Sequence, residues 1–459
     1  MQYITKQIEQ QREFYNTQKT KNPDFRKTQL KKLKKLVTDY EKEIQEALQE
    51  DLGKPNFESY LAEIEFVLQE LRYTLKNLNN WVKPKKVSTP ALHFPGKSHI
   101  YHEPFGCVLV ISPWNYPFHL AIAPAIGAIA AGNSVIIKPS EHAPATALLL
   151  EKMINQNFDP GFFRVIQGEV EETRFILEQK FDYIFFTGST QVGKIIMKAA
   201  AEHLTPVTLE LGGKSPTIID STANLEVSAK RIAWGKFHNA GQTCVAPDYI
   251  YVEDSVKDAF LEKLKSTLVD FYGTNTLESP DYGRIVNKRH FDRLNKLLEN
   301  AEIAFGGQTN RSKNFMSPTI LNNVSWDDAV MQEEIFGPIL PVLEWNNEND
   351  LIQQINERPK PLSLYVFSDN KEFIEKIIRE TSSGGVSVNE PLSHITSVHL
   401  PFGGVGDSGM GNYHGKYSFY TFSHAKSVMK KPFFPDPSAK YPPFSKINGT
   451  MKKILKIIS

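Results

Sequence analysis

The sequence predicts an α/β protein whose core consists of parallel sheets with crossover helices. Short apolar segments typical of buried strands alternate along the chain with longer segments of helical pattern, and this alternation is what parallel sheets require. The predicted strands form two series, at 108–111, 134–137, 163–166 and 183–186, and then near 216–219, 249–252 and 364–367. At 459 residues the chain is long enough for two or three domains.

The N-terminal part of the chain is predicted to be helical. In 23–52, apolar residues recur at helical spacing with charged residues between them: Leu30, Leu33, Val37, Tyr40, Ile44 and Leu48. A second helix is predicted over 58–81, and the Pro-, Lys- and Ser-rich segment 84–95 marks a boundary. The apolar stretch 120–132 predicts a buried helix, because it is shorter than the ~20 residues that a membrane span needs.

Composition excludes several classes of protein. The chain has 53 basic and 52 acidic residues and a net charge of +1, so it lacks the strong positive field of a nucleic-acid-binding protein. Its two cysteines cannot form a disulfide framework, and no Cys/His cluster suggests a metal site. The N-terminus is polar, without an apolar signal-peptide core. We therefore expect a cytoplasmic protein that binds neither nucleic acid nor metal.

The C-terminal tail is basic and partly apolar. After Asp436 there is no further acidic side chain, and lysines alternate with apolar residues: Lys440, Lys446, Ile447, Met451, Lys452, Lys453, Ile454, Leu455, Lys456 and Ile458. Such a pattern is compatible with peripheral contact to an anionic membrane surface. It is equally the pattern of a terminal helix that frays or packs on the protein, and we favour this second interpretation.

Cys244 stands out because it lies among small, polar and turn-forming residues, in the segment 237–247. A thiol in such surroundings can be a nucleophile, since thiolates attack carbonyl carbons well; the alternative is a small buried hydrophobic residue. Upstream, Glu210 lies between apolar residues and a glycine pair in 209–216. Downstream, the segment 332–338 joins a glutamate pair to a Phe-Gly-Pro sequence.

These three segments, in this order, resemble the aldehyde dehydrogenase superfamily, and the resemblance extends over 105–422. It is closest to the class 3 and fatty aldehyde dehydrogenase group, because the chain is short ahead of Cys244 and carries Tyr441-Pro442-Pro443 in its tail. The resemblance implies a Rossmann-type NAD(P)-binding domain over 1–81 and 106–210. It further implies an α/β catalytic domain over 211–395, a small bridging and oligomerisation element over 82–105 and 396–459, and a homodimer.

The resemblance also implies where a dinucleotide binds. A loop that follows the predicted strand 183–186 and opens a helix would hold the pyrophosphate through Thr187, Gly188, Ser189, Val192 and Gly193. This loop is not the GxGxxG fingerprint. Lys138 and Glu141 would lie at the adenosine ribose. Lysine suits a 2′-phosphate and a carboxylate repels it, so NAD and NADP both remain open.

In the downstream segment, the resemblance assigns Glu334 to the nicotinamide ribose and Phe336 to packing near the nicotinamide ring. For the chemistry it assigns Cys244 as the nucleophile, which would form a thiohemiacetal and then a thioester. The backbone N–H of Cys244 and the side chain of Asn115 would stabilise the oxyanion. Glu210 would be the general base that activates water, because apolar neighbours raise the pKa of a carboxyl group.

Tyr116, Trp234 and Phe402 are candidates for an apolar substrate tunnel. They favour long-chain aliphatic, aromatic or terpenoid and polyene aldehydes over small charged semialdehydes. The expected reaction is NAD(P)-dependent oxidation to the carboxylic acid. Transfer of the acyl group to coenzyme A is an alternative, but the acylating members of the family generally lack a glutamate at the position of Glu210. A cofactor-binding scaffold without turnover is a third possibility.

Overall fold

The computed structural model of the protein describes residues 1–436, 441–443 and 449. The tail residues on which the prediction of membrane contact depended therefore lie outside the described residues. The helices are α1 (Gln2–Asn16), α2 (Pro23–Asp39), α3 (Glu41–Leu52), α4 (Asn56–Ser59), α5 (Phe66–Trp81), α6 (His119–Ala131), α7 (Pro144–Asn155), α8 (Val170–Glu178), α9 (Thr190–Ala201), α10 (Leu225–Phe237), α11 (Lys257–Tyr272), α12 (Lys288–Lys296), α13 (Ala329–Gln332), α14 (Glu348–Asn356), α15 (Lys371–Glu380) and α16 (Lys416–Thr421).

The strands belong mainly to two large sheets. They are β1 (Lys85–Val87), β2 (Lys97–Pro104), β3 (Cys107–Ile111), β4 (Ser134–Lys138), β5 (Phe163–Val165), β6 (Tyr183–Thr187), β7 (Val207–Glu210), β8 (Pro216–Ile219), β9 (Tyr249–Glu253), β10 (Ile303–Phe305), β11 (Thr309–Asn310), β12 (Phe315–Met316), β13 (Thr319–Leu321), β14 (Ile339–Trp345), β15 (Ser363–Phe367), β16 (Gly385–Val388), β17 (Gly409–Met410) and β18 (Ser423–Lys430). The predicted α/β fold with parallel sheets is confirmed.

The first sheet has the strand order β17-β7-β6-β3-β4-β5, and its strands are parallel except for β17. Every residue of β3, β4 and β6 is buried, as expected for strands covered by helices on both faces. Helix α6 is also buried along its whole length. The apolar stretch 120–132 is therefore a core helix, as predicted.

The second sheet has the order β10-β13-β14-β9-β8-β15-β16 and is parallel apart from the edge pair β10–β13. A third, three-stranded sheet joins β1, β2 and β18, which brings together the two segments that the resemblance assigns to a bridging element. Strand β17, from the same C-terminal segment, instead pairs with β7 of the first sheet. The domain boundaries themselves remain a prediction.

The helical predictions hold with two local differences. The region 23–52 is interrupted at Tyr40, where α2 ends and α3 begins. The helix predicted over 58–81 begins at Asn56 and includes a π-helical turn at Tyr60–Glu65 between α4 and α5. Among the residues that the structure describes, no helix has the length and apolar character to span a membrane, and no group of His, Cys, Asp and Glu side chains could hold a metal ion.

Candidate active site

Cys244 is presented by a strained turn that follows α10. The helix ends at Phe237, and Asn239, Ala240 and Gly241 then adopt left-handed backbone angles, with φ of 52°, 51° and 74°. Gly241 is required there, because a Cβ atom would clash with the carbonyl of Gly337. Backbone strain of this kind costs about 1–3 kcal/mol for a residue with a side chain. Its presence beside Cys244 is typical of a functional site.

The buried side chain of Gln242 stabilises this turn through three hydrogen bonds. Its amide nitrogen donates to the carbonyls of Asn239 at 3.0 Å and Arg284 at 2.9 Å. Its amide oxygen accepts from the N–H of Val286 at 3.0 Å. The first bond closes the turn itself, and the bonds with Arg284 and Val286 connect it to a loop more than 40 residues away in sequence.

Asn115, in the loop after β3, is buried against the same turn. Its Nδ2 donates to the carbonyl of Gln242 at 3.0 Å. Because a side-chain amide carries two N–H bonds, the second one can serve an oxyanion. The backbone carbonyl of Asn115 accepts from Asn239 Nδ2 at 2.9 Å and from Lys54 Nζ at 3.2 Å.

Cys244 lies on the walls of two cavities. One is a cavity of about 530 Å³ that also includes the C-terminal end of the first sheet. Its polar and aromatic lining residues include Trp114, Asn115, Thr187, Gly188, Ser189, Arg289, His290, Arg293, Glu334 and Phe336. The other is an apolar tunnel of about 220 Å³. A nucleophile between a polar cavity and an apolar tunnel can contact two different molecules at once.

The larger cavity suits a dinucleotide at the start of α9. Ser189 caps this 12-residue helix, with its hydroxyl accepting from the N–H of Val192, and helix N-termini bind phosphate groups. Thr187 Oγ1 is buried and has no hydrogen-bond partner in the described part of the chain. Thr187, Gly188 and Ser189 line the cavity, whereas Val192 is 42% exposed and Gly193 packs against Leu211.

Glu334 lines the larger cavity next to Gly212, the first glycine after Glu210. A Cβ atom on Gly212 would clash with the Glu334 carboxylate, so this glycine permits the close approach. Burial, followed by the charge of Asp248, raises the pKa of Glu334 to about 8. Phe336 has a positive φ of 52° and meets the edge of Trp114 at a ring distance of 5.3 Å.

Lys138 and Glu141 form an ion pair of 2.8 Å just after β4. They do not line the 530 Å³ cavity among the described residues; Glu141 lines a separate cavity of about 200 Å³ together with Ser140, Gln167 and Glu169. The lysine is almost fully buried and the glutamate partly exposed.

Glu210 ends β7 and is 2% exposed. Neither carboxylate oxygen makes a hydrogen bond within the residues that the structure describes, and burial raises the pKa of this group well above its ordinary value. Glu210 does not line either cavity within residues 1–436. Burial raises the pKa of the Cys244 thiol, and the charges of Glu334 and Glu210 add to the effect, while the N–H groups of Cys244 and Val245 oppose it.

All three residues predicted for a substrate tunnel line the apolar cavity: Tyr116, Trp234 and Phe402. The Tyr116 hydroxyl is 2.7 Å from Thr243 Oγ1. The tunnel also contains histidines that sequence reasoning missed: His119, His238 and His414.

Two ion pairs near the site were also missed. Asp248 Oδ1 accepts from the N–H of Ile335 at 2.9 Å, and Asp248 pairs with Lys214, whose Nζ donates to the carbonyl of Glu333 at 3.1 Å. Both charges thus hold the segment that carries Glu334. The position of Asp248, four residues after Cys244, was the available signal.

The second missed pair is Lys54 with Glu63, both fully buried. Glu63 also accepts the N–H groups of Phe118 and His119, each at 3.0 Å. Since Lys54 donates to the Asn115 carbonyl, the pair holds both ends of the Asn115 loop. No local pattern in the sequence indicates this pairing.

Removing Lys54 should destabilise the protein. Lys54→Met leaves the Glu63 carboxylate buried without its cation, which costs about 3–5 kcal/mol. Chemical denaturation followed by tryptophan fluorescence measures the loss. Lys35→Met, which breaks the exposed pair with Asp39, is the control and should change the free energy of unfolding little. Equal midpoints for the two variants would contradict this account.

Comparison with known proteins agrees with the geometry. A model of the aldehyde dehydrogenase family matches residues 2–428. The chain is 51% identical over 446 residues to 4,4'-diaponeurosporen-aldehyde dehydrogenase of Staphylococcus aureus, with 97% of each chain covered. It is 49% identical over 445 residues to the dimeric NADP-preferring aldehyde dehydrogenase of Rattus norvegicus, covering 96% of this chain and 98% of the relative.

A solved structure described as the substrate-bound state of Staphylococcus aureus AldH matches with a TM-score of 0.97 and 50% identity, over 99% of both chains. The predicted resemblance is therefore confirmed. A family match over nearly the whole length, with such identities, shows that this chain belongs to the aldehyde dehydrogenase family.

Proposed function

We propose that this aldehyde dehydrogenase oxidises long-chain, aromatic or polyene aldehydes to carboxylic acids, with Cys244 as nucleophile. The observation that carries the proposal is the position of Cys244 on the walls of both cavities. The apolar tunnel suits the hydrocarbon part of an aldehyde, and the polar cavity suits a dinucleotide. The name of the Staphylococcus aureus relative, which contains a polyene aldehyde, supports the same substrate class.

NAD or NADP fits the residues of the larger cavity. Thr187, Gly188 and Ser189 would hold the pyrophosphate, and Glu334 would accept from ribose hydroxyls. The unpartnered hydroxyl of Thr187 supports a polar ligand at this end. When bound, the nicotinamide supplies the acceptor for a hydride from the substrate carbon. Neither Lys138 nor Glu141 lines that cavity within the described residues; at the adenosine end of a dinucleotide the lysine would attract a 2′-phosphate and the glutamate would repel it, so we propose that either cofactor is used.

The residues around Cys244 divide the chemistry among them. The Cys244 thiol gives its proton to solvent as its sulfur adds to the carbonyl carbon, and the oxyanion is stabilised by the N–H of Cys244 and by Asn115 Nδ2. Loss of hydride leaves a thioester on Cys244. Glu210 then takes a proton from water, whose oxygen adds to the thioester carbon; the C–S bond breaks, the acid is released, and Glu210 returns the proton to the departing sulfur.

Glu210 can activate the attacking water only if its side chain reaches the thioester on Cys244. Neither of its oxygens is tied by a hydrogen bond within the described chain, and a glutamate has several rotatable bonds. Its charge already raises the pKa of Cys244. These features support a mobile base beside the nucleophile.

We further propose a cytoplasmic homodimer. The word "dimeric" in the name of the rat relative and the separate sheet of β1, β2 and β18 support this assembly. Peripheral membrane contact through the basic tail is a separate proposal, which rests on the sequence of the tail. Light scattering after size-exclusion chromatography, and sedimentation with anionic vesicles, test the two proposals separately.

The function is tested with a panel of aldehydes of increasing chain length, each with NAD and with NADP. We expect reduced nicotinamide to form fastest with apolar aldehydes of medium or long chain. Steady turnover without coenzyme A supports the hydrolytic reaction; turnover that requires coenzyme A would establish the acylating alternative. Absence of reduction with every aldehyde would reject both.

Asp248 should control cofactor affinity without touching the cofactor. Asp248→Asn weakens the bond from Ile335 N–H and removes the ion pair with Lys214, so the Glu334 segment loosens. We expect the dissociation constant for NADH or NADPH to rise about tenfold, as measured by quenching of tryptophan fluorescence. Asp220→Asn, at a buried aspartate after β8 that bonds Thr222 and Ser368, is the matched control. An unchanged constant for Asp248→Asn would refute the positioning role.

A further inference from the structure

The apolar tunnel contains polar atoms that the protein leaves without partners. His119 begins α6 and is 6% exposed, and its ring lines the tunnel. The Nε2 atom of His119 is buried and makes no hydrogen bond to any residue that the structure describes. Tyr116 and His238, which also line the tunnel, do have partners: Tyr116 bonds Thr243, and His238 lies 3.4 Å from Glu58.

A second histidine of the tunnel, His414, also packs against the Phe66 ring. The Phe66 centroid is 3.9 Å from that of His119 and 5.3 Å from that of His414. Phe402 stacks on His414 at 5.2 Å. Neither ring nitrogen of His414 has a partner of good hydrogen-bond geometry in the described residues; a weaker hydrogen bond with the Ile395 backbone raises its pKa slightly against the effect of burial.

Both imidazoles are neutral at physiological pH. Burial lowers the pKa of His119 well below its ordinary value and the pKa of His414 to about 3. A neutral imidazole has one N–H donor and one acceptor nitrogen. A buried polar atom without a partner is unfavourable, and that cost is relieved when a ligand provides the missing hydrogen bond.

We propose that His119 and His414 form a hydrogen-bonding subsite for a hydroxyl group carried on the hydrocarbon chain of the aldehyde. A hydroxyl both donates and accepts, so it can satisfy the acceptor nitrogen of one imidazole and the N–H of the other. The aromatic rings of Phe66 and Phe402 pack against these imidazoles and make the surroundings of the subsite apolar. The subsite rests on the proposed function. With it, the enzyme prefers apolar aldehydes that carry one hydroxyl at a fixed distance from the carbonyl.

The test is a series of straight-chain aldehydes of one length, in which a single hydroxyl is moved along the chain. The quantity measured is kcat/KM for each compound divided by kcat/KM for the unsubstituted aldehyde. We expect one hydroxyl position to give a ratio of about ten. A ratio of one or less at every position overturns the subsite.

Variants of His119 link the ratio to this residue. His119→Phe retains an aromatic ring beside Phe66 and should bring the ratio toward one, while His119→Gln, which keeps a donor and an acceptor, should retain part of it. His203→Phe, at a histidine that bonds the Glu178 carbonyl outside the tunnel, is the control and should retain the full ratio. A ratio that His119→Phe leaves unchanged also overturns the subsite.

The wild-type series requires no variant to fold, so the proposal stays testable if His119→Phe is unstable. Failure of the proposed function would be seen differently. In that case the unsubstituted aldehydes themselves would give no reduced nicotinamide, whereas failure of the subsite leaves their oxidation intact and removes only the hydroxyl preference.

Discussion

Cys244→Ala should lower kcat by about four orders of magnitude or more, the scale seen when a catalytic nucleophile is removed. Without the sulfur, no adduct forms at the carbonyl carbon, and hydride has no oxyanion to expel it. The measurement is the rate of nicotinamide reduction with a long-chain aldehyde. Cofactor binding should persist, because Thr187, Ser189 and Glu334 are untouched, and a fluorescence titration with NADH verifies that the variant is folded.

Cys107→Ala is the matched control for this prediction. Cys107 is the first residue of β3 and is 1% exposed, and burial raises its pKa to about 12. Cys244, in contrast, is partly exposed and lines both cavities. A thiol-alkylating reagent should therefore label Cys244 first, and activity should disappear as that label appears. Full activity in Cys244→Ala would reject the nucleophile assignment.

The fold was predictable because its signals are local. Buried parallel strands are short apolar segments, and β3, β4 and β6 each stand out from polar neighbours. The break at Tyr40 was not predictable in this way, since apolar spacing continues through it from Val37 to Ile44. After the break, α3 packs against α7, and such a tertiary contact leaves no periodic trace in the sequence.

In the active site, too, residues in local motifs were predictable and residues that act through tertiary contacts were not. Cys244, Glu334 and the Thr187 loop lie in compact motifs, so their resemblance to the family indicates them directly. Lys54 and Glu63 were missed because their role depends on a loop 61 residues from Lys54 along the chain. His119 and His414 were missed for the same reason: they are far apart in sequence, and what brings them together is that each packs against the ring of Phe66.

Glu210→Gln should separate the two halves of the reaction. The amide cannot take a proton from water, so hydrolysis of the thioester should slow by about 10²–10⁴-fold, the usual contribution of a general base. Rapid mixing should then show a burst of about one reduced nicotinamide per active site, formed as the thioester accumulates, followed by slow turnover. Turnover as fast as in the wild type would remove Glu210 as the base.

The pH dependence follows from the direction of the Glu210 pKa. Only the deprotonated carboxylate is a base, and burial raises its pKa well above the ordinary 4.5. Turnover of the wild type should therefore rise with pH up to this elevated pKa, and the rise should be absent in Glu210→Gln. The same shift has the opposite effect on folding: stability is lost as pH increases from 4.5 to the pKa of the folded state, because the unfolded chain ionises first.

Glu210→Gln should consequently be more stable than the wild type at neutral pH while being slower. Glu70→Gln is the matched control, because Glu70 is also buried, with a pKa raised by burial to about 7, but bonds the N–H of Gly415 at 3.0 Å. It lines neither cavity in the described part of the molecule, so its variant should produce no burst. A carboxylate that lowers stability, and whose removal traps the thioester, is held in place by the demands of catalysis rather than of folding.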